Sequence, residues 1–410
     1  MQTTTNQPKI PLGEPVGGPF PHQQGRDCVT SAMRNVLAGN GLDLSESMVF
    51  GLGDGLSFWY SDIPESPFPV LLGQNLTLEE DLCHRLGIEL IVHEPANSDE
   101  AEEAFNRVRA GIPTIIKADP YYLDYCWEGI PDEYRQHFGE HLLLLVSTTS
   151  EPENTSLSEN VLISDIWSSR LETATLEQLR RARSTEEGYS FLLPQNRWYE
   201  LRFPSPTGGS TGGSTGGSVD PLKGWQAEIW PAARSISQKM LSARGYFGIS
   251  GIRATGSALA SWIHATSRAT SRATSRAASR GQPRDGQPVE QPAEEIIKTG
   301  LSVIAQRMDE GATGSCFRAL FTEFLLEGAE ILADPTLYEI GTSFKDEVVP
   351  LWQTIIQLFR KAATKQTARY ADLETVLLEL EQNLQVVASL EERLYRELCT
   401  AEPSPTRSKL

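Results

Sequence analysis

Three consecutive TGGS repeats, inside "SPTGGSTGGSTGGSVDP" at residues 205–221, constrain the architecture of this chain more than any other feature. Such a segment offers no side chains to a core and predicts a flexible linker. The text on its two sides differs. Before it lie strand-like runs, "IELIVHE" (88–94), "GIPTIIKAD" (111–119), "HLLLLVST" (141–148), "NVLISDIW" (160–167) and "RWYELRF" (197–203). Helix-periodic stretches at 28–38, 77–85, 98–110 and 175–183 separate them. After the linker, long segments such as "AEEIIKTGLSVIAQRMDE" and "YADLETVLLELEQNLQVVASLEERLYREL" repeat apolar residues every three or four positions, as helices with one buried face do. A chain of 410 residues accommodates two ordinary domains. The expectation is α+β: a mixed domain with an antiparallel sheet over 15–204, the linker at 205–221, and an all-α domain over 222–400.

Within the helical part, "ATSRATSRATSRAASRGQPRDGQP" (265–288) is low in complexity. The reading is an exposed insertion, about 265–290, without packed structure; attraction of phosphate or a carrier protein by its arginines is the alternative. The tail "AEPSPTRSKL" reads as disordered.

A formal charge of -18 argues against general nucleic-acid binding. No apolar run reaches membrane-spanning length and the start has no secretory signal, so a soluble, cytoplasmic protein is expected. Five scattered cysteines with no CxxC pair predict free thiols rather than a disulfide framework or a zinc site.

Chemistry is suggested by "GRDCVTSAMRNVL" (25–37). Val29, Ala32, Met33, Val36 and Leu37 mark one face of a helix, Asp27 suits its N-cap, and Cys28 falls in its first turn. Unpaired N–H groups and the helix dipole there favour a thiolate. A small apolar residue at a helix start is the plain alternative. A reactive thiol needs a base and a group to orient that base. Among six histidines, His137 and His141 in "HFGEH" stand out, but Gly139 and the strand that follows remove the helical setting of a HExxH metal site. The strands at 141–148 and 160–167, joined by a polar loop, should pair antiparallel. His141 at the start of one and Asp165 near the end of the other then share a sheet edge. Cys28 would complete a Cys-His-Asp set. Its N–H can give one oxyanion donor, and Gln23 or Gln24 a second. The glycines of "FGLGDGLSFWY" (50–60) do not fit a dinucleotide fingerprint; they read as a loop approaching the cleft or as a structural turn.

The segment "DCVTSAMRNVLAGNGLDLSESMVFGLGDGLSF", with "HFGEHLLLLV" and "LISDIW", resembles the butirosin biosynthesis protein H family. Beyond the linker, "GYFGISGIRATGSALASWI" and "EGATGSCFRALFTEFLLEGAEIL" resemble the helical domain that accompanies it. The likeness spans roughly residues 15 to 360. It implies a papain-like N-terminal domain and acyl transfer from an acyl carrier protein or CoA thioester to a small-molecule amine. Cys28 would carry the acyl group, His141 would act as base, and Asp165 would orient it, with no cofactor and no metal. A papain-like peptidase or amidase and a non-catalytic scaffold are the competing readings. Cover of the cleft by the helical domain would favour a transferase, and an open groove a peptidase.

Overall fold

The computed structural model describes residues 20–61, 66, 68–132, 135–149, 159–188, 192–204, 224–280, 293–309, 315–364 and 370–402. The TGGS repeats and the last eight residues of the tail lie outside the described residues.

Chain order begins with helices α1 (Cys28–Gly39) and α2 (Glu46–Leu52), then strands β1 (Leu56–Ser61) and β2 (Val70–Gln74). There follow α3 (Leu78–Leu86), β3 (Glu89–His93), α4 (Ser98–Arg109), β4 (Thr114–Ala118), β5 (His141–Thr149), β6 (Asn160–Ser164), β7 (Glu172–Thr175), α5 (Leu176–Ser184) and β8 (Trp198–Arg202). The helical half comprises α6 (Ile229–Ser242), α7 (Gly248–Arg280), α8 (Ala293–Asp309), α9 (Arg318–Leu332), α10 (Pro335–Ser343), α11 (Val349–Ala363) and α12 (Tyr370–Thr400). The class is α+β.

Six strands form one antiparallel sheet in the order β3-β8-β4-β5-β6-β7. The apolar run of β5 reads without alternation because both of its faces are covered. Leu142, Leu144 and Val146 enter one apolar cluster with α1 and α3, and Leu143 and Leu145 enter a second with α4 and α5. Local chemistry sets the helix ends. Asp27, Ser45 and Asn97 cap α1, α2 and α4, and Thr175 opens α5 with a reciprocal capping box.

The larger apolar cluster continues across the linker. It joins α1, α2 and β1 to α6, α7, α9 and α12. The glycines of "FGLGDGL" are sites of close packing. The segment forms the end of α2 and the turn into β1. A Cβ on Gly51 would lie 2.1 Å from the Phe324 ring of α9, and one on Gly55 would lie 2.5 Å from Phe50. Glycine inside a helix costs about 1 kcal/mol against alanine, and here it permits that contact. The Arg-containing repeat has helical backbone as far as it is described. Helix α7 runs through it to Arg280, where the sequence turns to "GQPRDGQP". Alanine and arginine are good helix formers, and no glycine or proline interrupts the repeat before Gly281. Residues 281–290 of the insertion lie outside the described residues.

Candidate active site

Antiparallel pairing of β5 with β6, Leu144 opposite Ser164, sets the start of one strand beside the residue that follows the other. His141 and Asp165 are both buried. Nε2 of His141 lies 2.8 Å from Oδ1 and 3.0 Å from Oδ2 of Asp165. Asp165 Oδ1 also accepts the Ile166 N–H at 2.6 Å, and Oδ2 accepts the Tyr125 hydroxyl at 2.7 Å. Helix α1 packs on β5, and its first residue, Cys28, lies close enough to the His141 side chain for each to shift the other's proton affinity. Asp165 takes Nε2, which leaves Nδ1 as the other ring nitrogen. The three residues named from sequence therefore meet in one place.

Proton affinities in this cluster oppose one another. Burial works against a charged His141, but the Asp165 carboxylate outweighs it and raises the imidazole well above its ordinary value. Burial, followed by the charge of Asp27, raises the Cys28 thiol, while His141 pulls it down. These directions run against the thiolate that a helix start by itself favours. The helix start is present, but partial burial and the charge of the capping Asp27 both oppose an anion at the sulfur. Transfer of the thiol proton to His141 is favoured from the histidine side and opposed from the cysteine side. Cys83 and Cys316 are pushed by burial to about 12 and about 11.

Asp27→Asn tests the brake on Cys28. Asparagine keeps the cap on the Thr30 N–H, which Asp27 now holds at 2.9 Å. Removing the charge should raise the rate of Cys28 alkylation by iodoacetamide at pH 7 about threefold to tenfold. An unchanged rate in a folded variant would remove Asp27 from this account.

The loop before Cys28 is pinned from below. Glu46 on α2 accepts the backbone N–H of Arg26 at 2.7 Å and of Asp27 at 3.1 Å, and also the Thr30 hydroxyl. Asn35, buried within α1, donates to the Gln23 carbonyl and to Ser164 Oγ, which also bonds His22. Of the two candidate oxyanion donors, Gln24 has its amide on the Ile166 carbonyl at 2.9 Å. Gln23 is exposed, with its backbone N–H held by Asn35 at 3.3 Å. Cys28 N–H belongs to the first helical turn, where amides lack intrahelical partners.

His137, four residues before His141, faces elsewhere. Its Nδ1 lies 2.8 Å from Asp119 Oδ2 and its ring stacks on Tyr121 at 4.0 Å. Gly139 between them is required by close approach, since a Cβ there would lie 2.4 Å from the Leu192 carbonyl.

Sequence reasoning missed Glu46, Asn35 and Tyr125. Asn35 left a trace, a polar residue seven positions after Cys28 on the same helix; the other two left none. Sequence also gave no sign of which helices would touch the site. Arg26 reaches Glu323 on α9 at 2.7 Å, and Arg307 on α8 lies 4.6 Å over the Phe138 ring, just before His141. The helical half therefore contacts both flanking segments. A groove of about 1060 Å³ lies between α9 and α10 and is lined by carboxylates including Glu327, Glu330 and Asp346. It includes none of Cys28, His141 and Asp165.

Among the described residues, no helix is long and apolar enough to cross a membrane. Residues 27–160 match the family model described as "Butirosin biosynthesis protein H, N-terminal", which bears out the resemblance. The match contains Cys28 and His141 and ends before Asp165. By its description, it ties this segment to natural-product biosynthesis. Residues 290–398 match a "Domain of unknown function (DUF4872)". A search of curated proteins found no match.

Proposed function

We propose that this chain is a cysteine-dependent acyltransferase of natural-product biosynthesis. It moves an acyl or aminoacyl group from a carrier-protein or CoA thioester to an amine of a small-molecule acceptor. In this reading residues 15–204 are a papain-like catalytic domain, and the helical domain over 222–400 helps to wall the acceptor site. The observation that carries it is a thiol beside a carboxylate-held imidazole, with helices α8 and α9 against both flanks of the site. A peptidase needs an open groove to admit a long chain. A transferase needs walls that hold an amine and keep water out.

The cycle has two halves. Cys28 passes its proton to His141 Nδ1, and the thiolate attacks the thioester carbonyl. The tetrahedral oxyanion forms beside the Cys28 N–H, with Gln23 as candidate second donor. Collapse breaks the bond to the carrier sulfur, which leaves with the proton held on His141. The acceptor amine then attacks the acyl-Cys28 carbonyl and gives a proton to His141. Collapse releases the amide, and Cys28 takes the proton back. Every atom and proton comes from the thioester, the amine and the side chains named.

The test is the fate of the acyl-enzyme. Isolated acyl-Cys28 protein should lose its added mass on mixing with a cognate amine at least about tenfold faster than in buffer alone. Equal rates with water and with every amine of a broad panel would replace the transferase with a hydrolase.

A further inference from the structure

We propose that Tyr125 is a positioning residue that sets the proton affinity of His141 by acting through Asp165. The proposal rests on the reading of Cys28, His141 and Asp165 as the reactive set. Tyr125 lies in a short 3₁₀ turn, Asp124–Trp127, between β4 and β5. Its ring packs on the apolar cluster beneath the far face of the sheet, and its hydroxyl donates to Asp165 Oδ2 at 2.7 Å. The opposite oxygen, Oδ1, accepts the Ile166 N–H and takes the shorter of the two contacts from His141. The carboxylate is thus held at both oxygens. Rotation that would swap them breaks the phenol bond and the Ile166 bond together.

A hydrogen bond to a carboxylate also withdraws charge from it. The Tyr125 O–H competes with His141 for the same anion, so its presence keeps the imidazole less basic than Asp165 alone would make it. Proton transfer in both halves of the proposed cycle passes through that imidazole. A base that holds its proton too tightly returns it slowly to the leaving sulfur. The titratable groups that face this pair are few. Cys28 and Asp27 come from the start of α1, and Tyr125 and Cys126 from the 3₁₀ turn. Glu172 and Arg135 act on Cys126 at the edge of this set. Tyr125 is the member that donates a hydrogen bond to Asp165 without itself changing charge near neutral pH. Burial first, then the nearby Asp165 charge, raises its phenol well above the ordinary value.

The test reads the histidine directly. In full-length protein with ¹⁵N-labelled histidine rings, the His141 resonance is assigned by its loss in His141→Gln and followed against pH. Tyr125→Phe keeps the ring and removes only the hydroxyl. It should move the His141 midpoint upward by about half a pH unit or more. Replacing Tyr125 by a fluorinated tyrosine, a stronger O–H donor, should move the midpoint downward. A merely structural role would leave both midpoints where the parent has them, and that result overturns the proposal. The fluorinated protein gives the answer even if the phenylalanine variant does not fold. Failure of the underlying reading has a separate sign: His141→Gln would leave the alkylation rate of Cys28 unchanged in a folded protein.

Discussion

Cys28→Ala should abolish the acyl adduct that the parent protein forms with a suitable acyl thioester, seen as the loss of one acyl mass in intact mass spectrometry. The buried thiols do not replace it. Cys83 and Cys316 are buried with raised proton affinity, and Cys126 is raised further by burial and by Asp165. His141→Ala should slow adduct formation roughly 10²–10⁴-fold, the usual contribution of a positioned acid–base group. Asp165→Asn should slow it less, since the imidazole remains and loses only its orientation and its charge partner, 2.8 Å away. Adduct formation on another cysteine, or undiminished formation in Cys28→Ala, would sink the proposed mechanism.

Glu391→Ala should destabilise the protein by about 3–5 kcal/mol in urea unfolding, because it leaves a guanidinium buried without its anion. Arg318 and Glu391 are both fully buried and joined twice, Nε to Oε1 at 2.9 Å and Nη2 to Oε2 at 3.1 Å. Glu391 also accepts the Trp352 indole N–H and the Tyr395 hydroxyl. Arg318 reaches the carbonyl of Ser57 on β1. The cluster therefore ties a strand from before the linker to helices α9, α11 and α12. Arg318→Met combined with Glu391→Leu should cost less than Glu391→Ala, since it removes both charges and retains volume. A single variant within 1 kcal/mol of the parent, on the order of an exposed pair, would show that the pair is not desolvated.

The sequence by itself determined the elements whose signals are local. The apolar spacing of Val29 to Leu37 and the cap at Asp27 define α1 without reference to the rest of the chain. The β5–β6 hairpin is equally legible, because two apolar runs joined by a polar loop must pair antiparallel, and that alone brings His141 to Asp165. Meeting Cys28 was a different matter. More than a hundred residues separate it from His141, and α1 reaches β5 only because Leu142, Leu144 and Val146 bury against it. Tertiary structure also reversed the sign of a local argument. A helix start lowers a thiol's proton affinity, but burial and the neighbouring Asp27 charge raise it here, and desolvation exists only once the chain has folded. Gly51 reads as a loop residue until Phe324, 273 positions later, lies against it. Tyr125 and Glu46 carried no pattern at all. A single hydrogen bond to a distant residue has no period along the chain, so only the packed structure decides it.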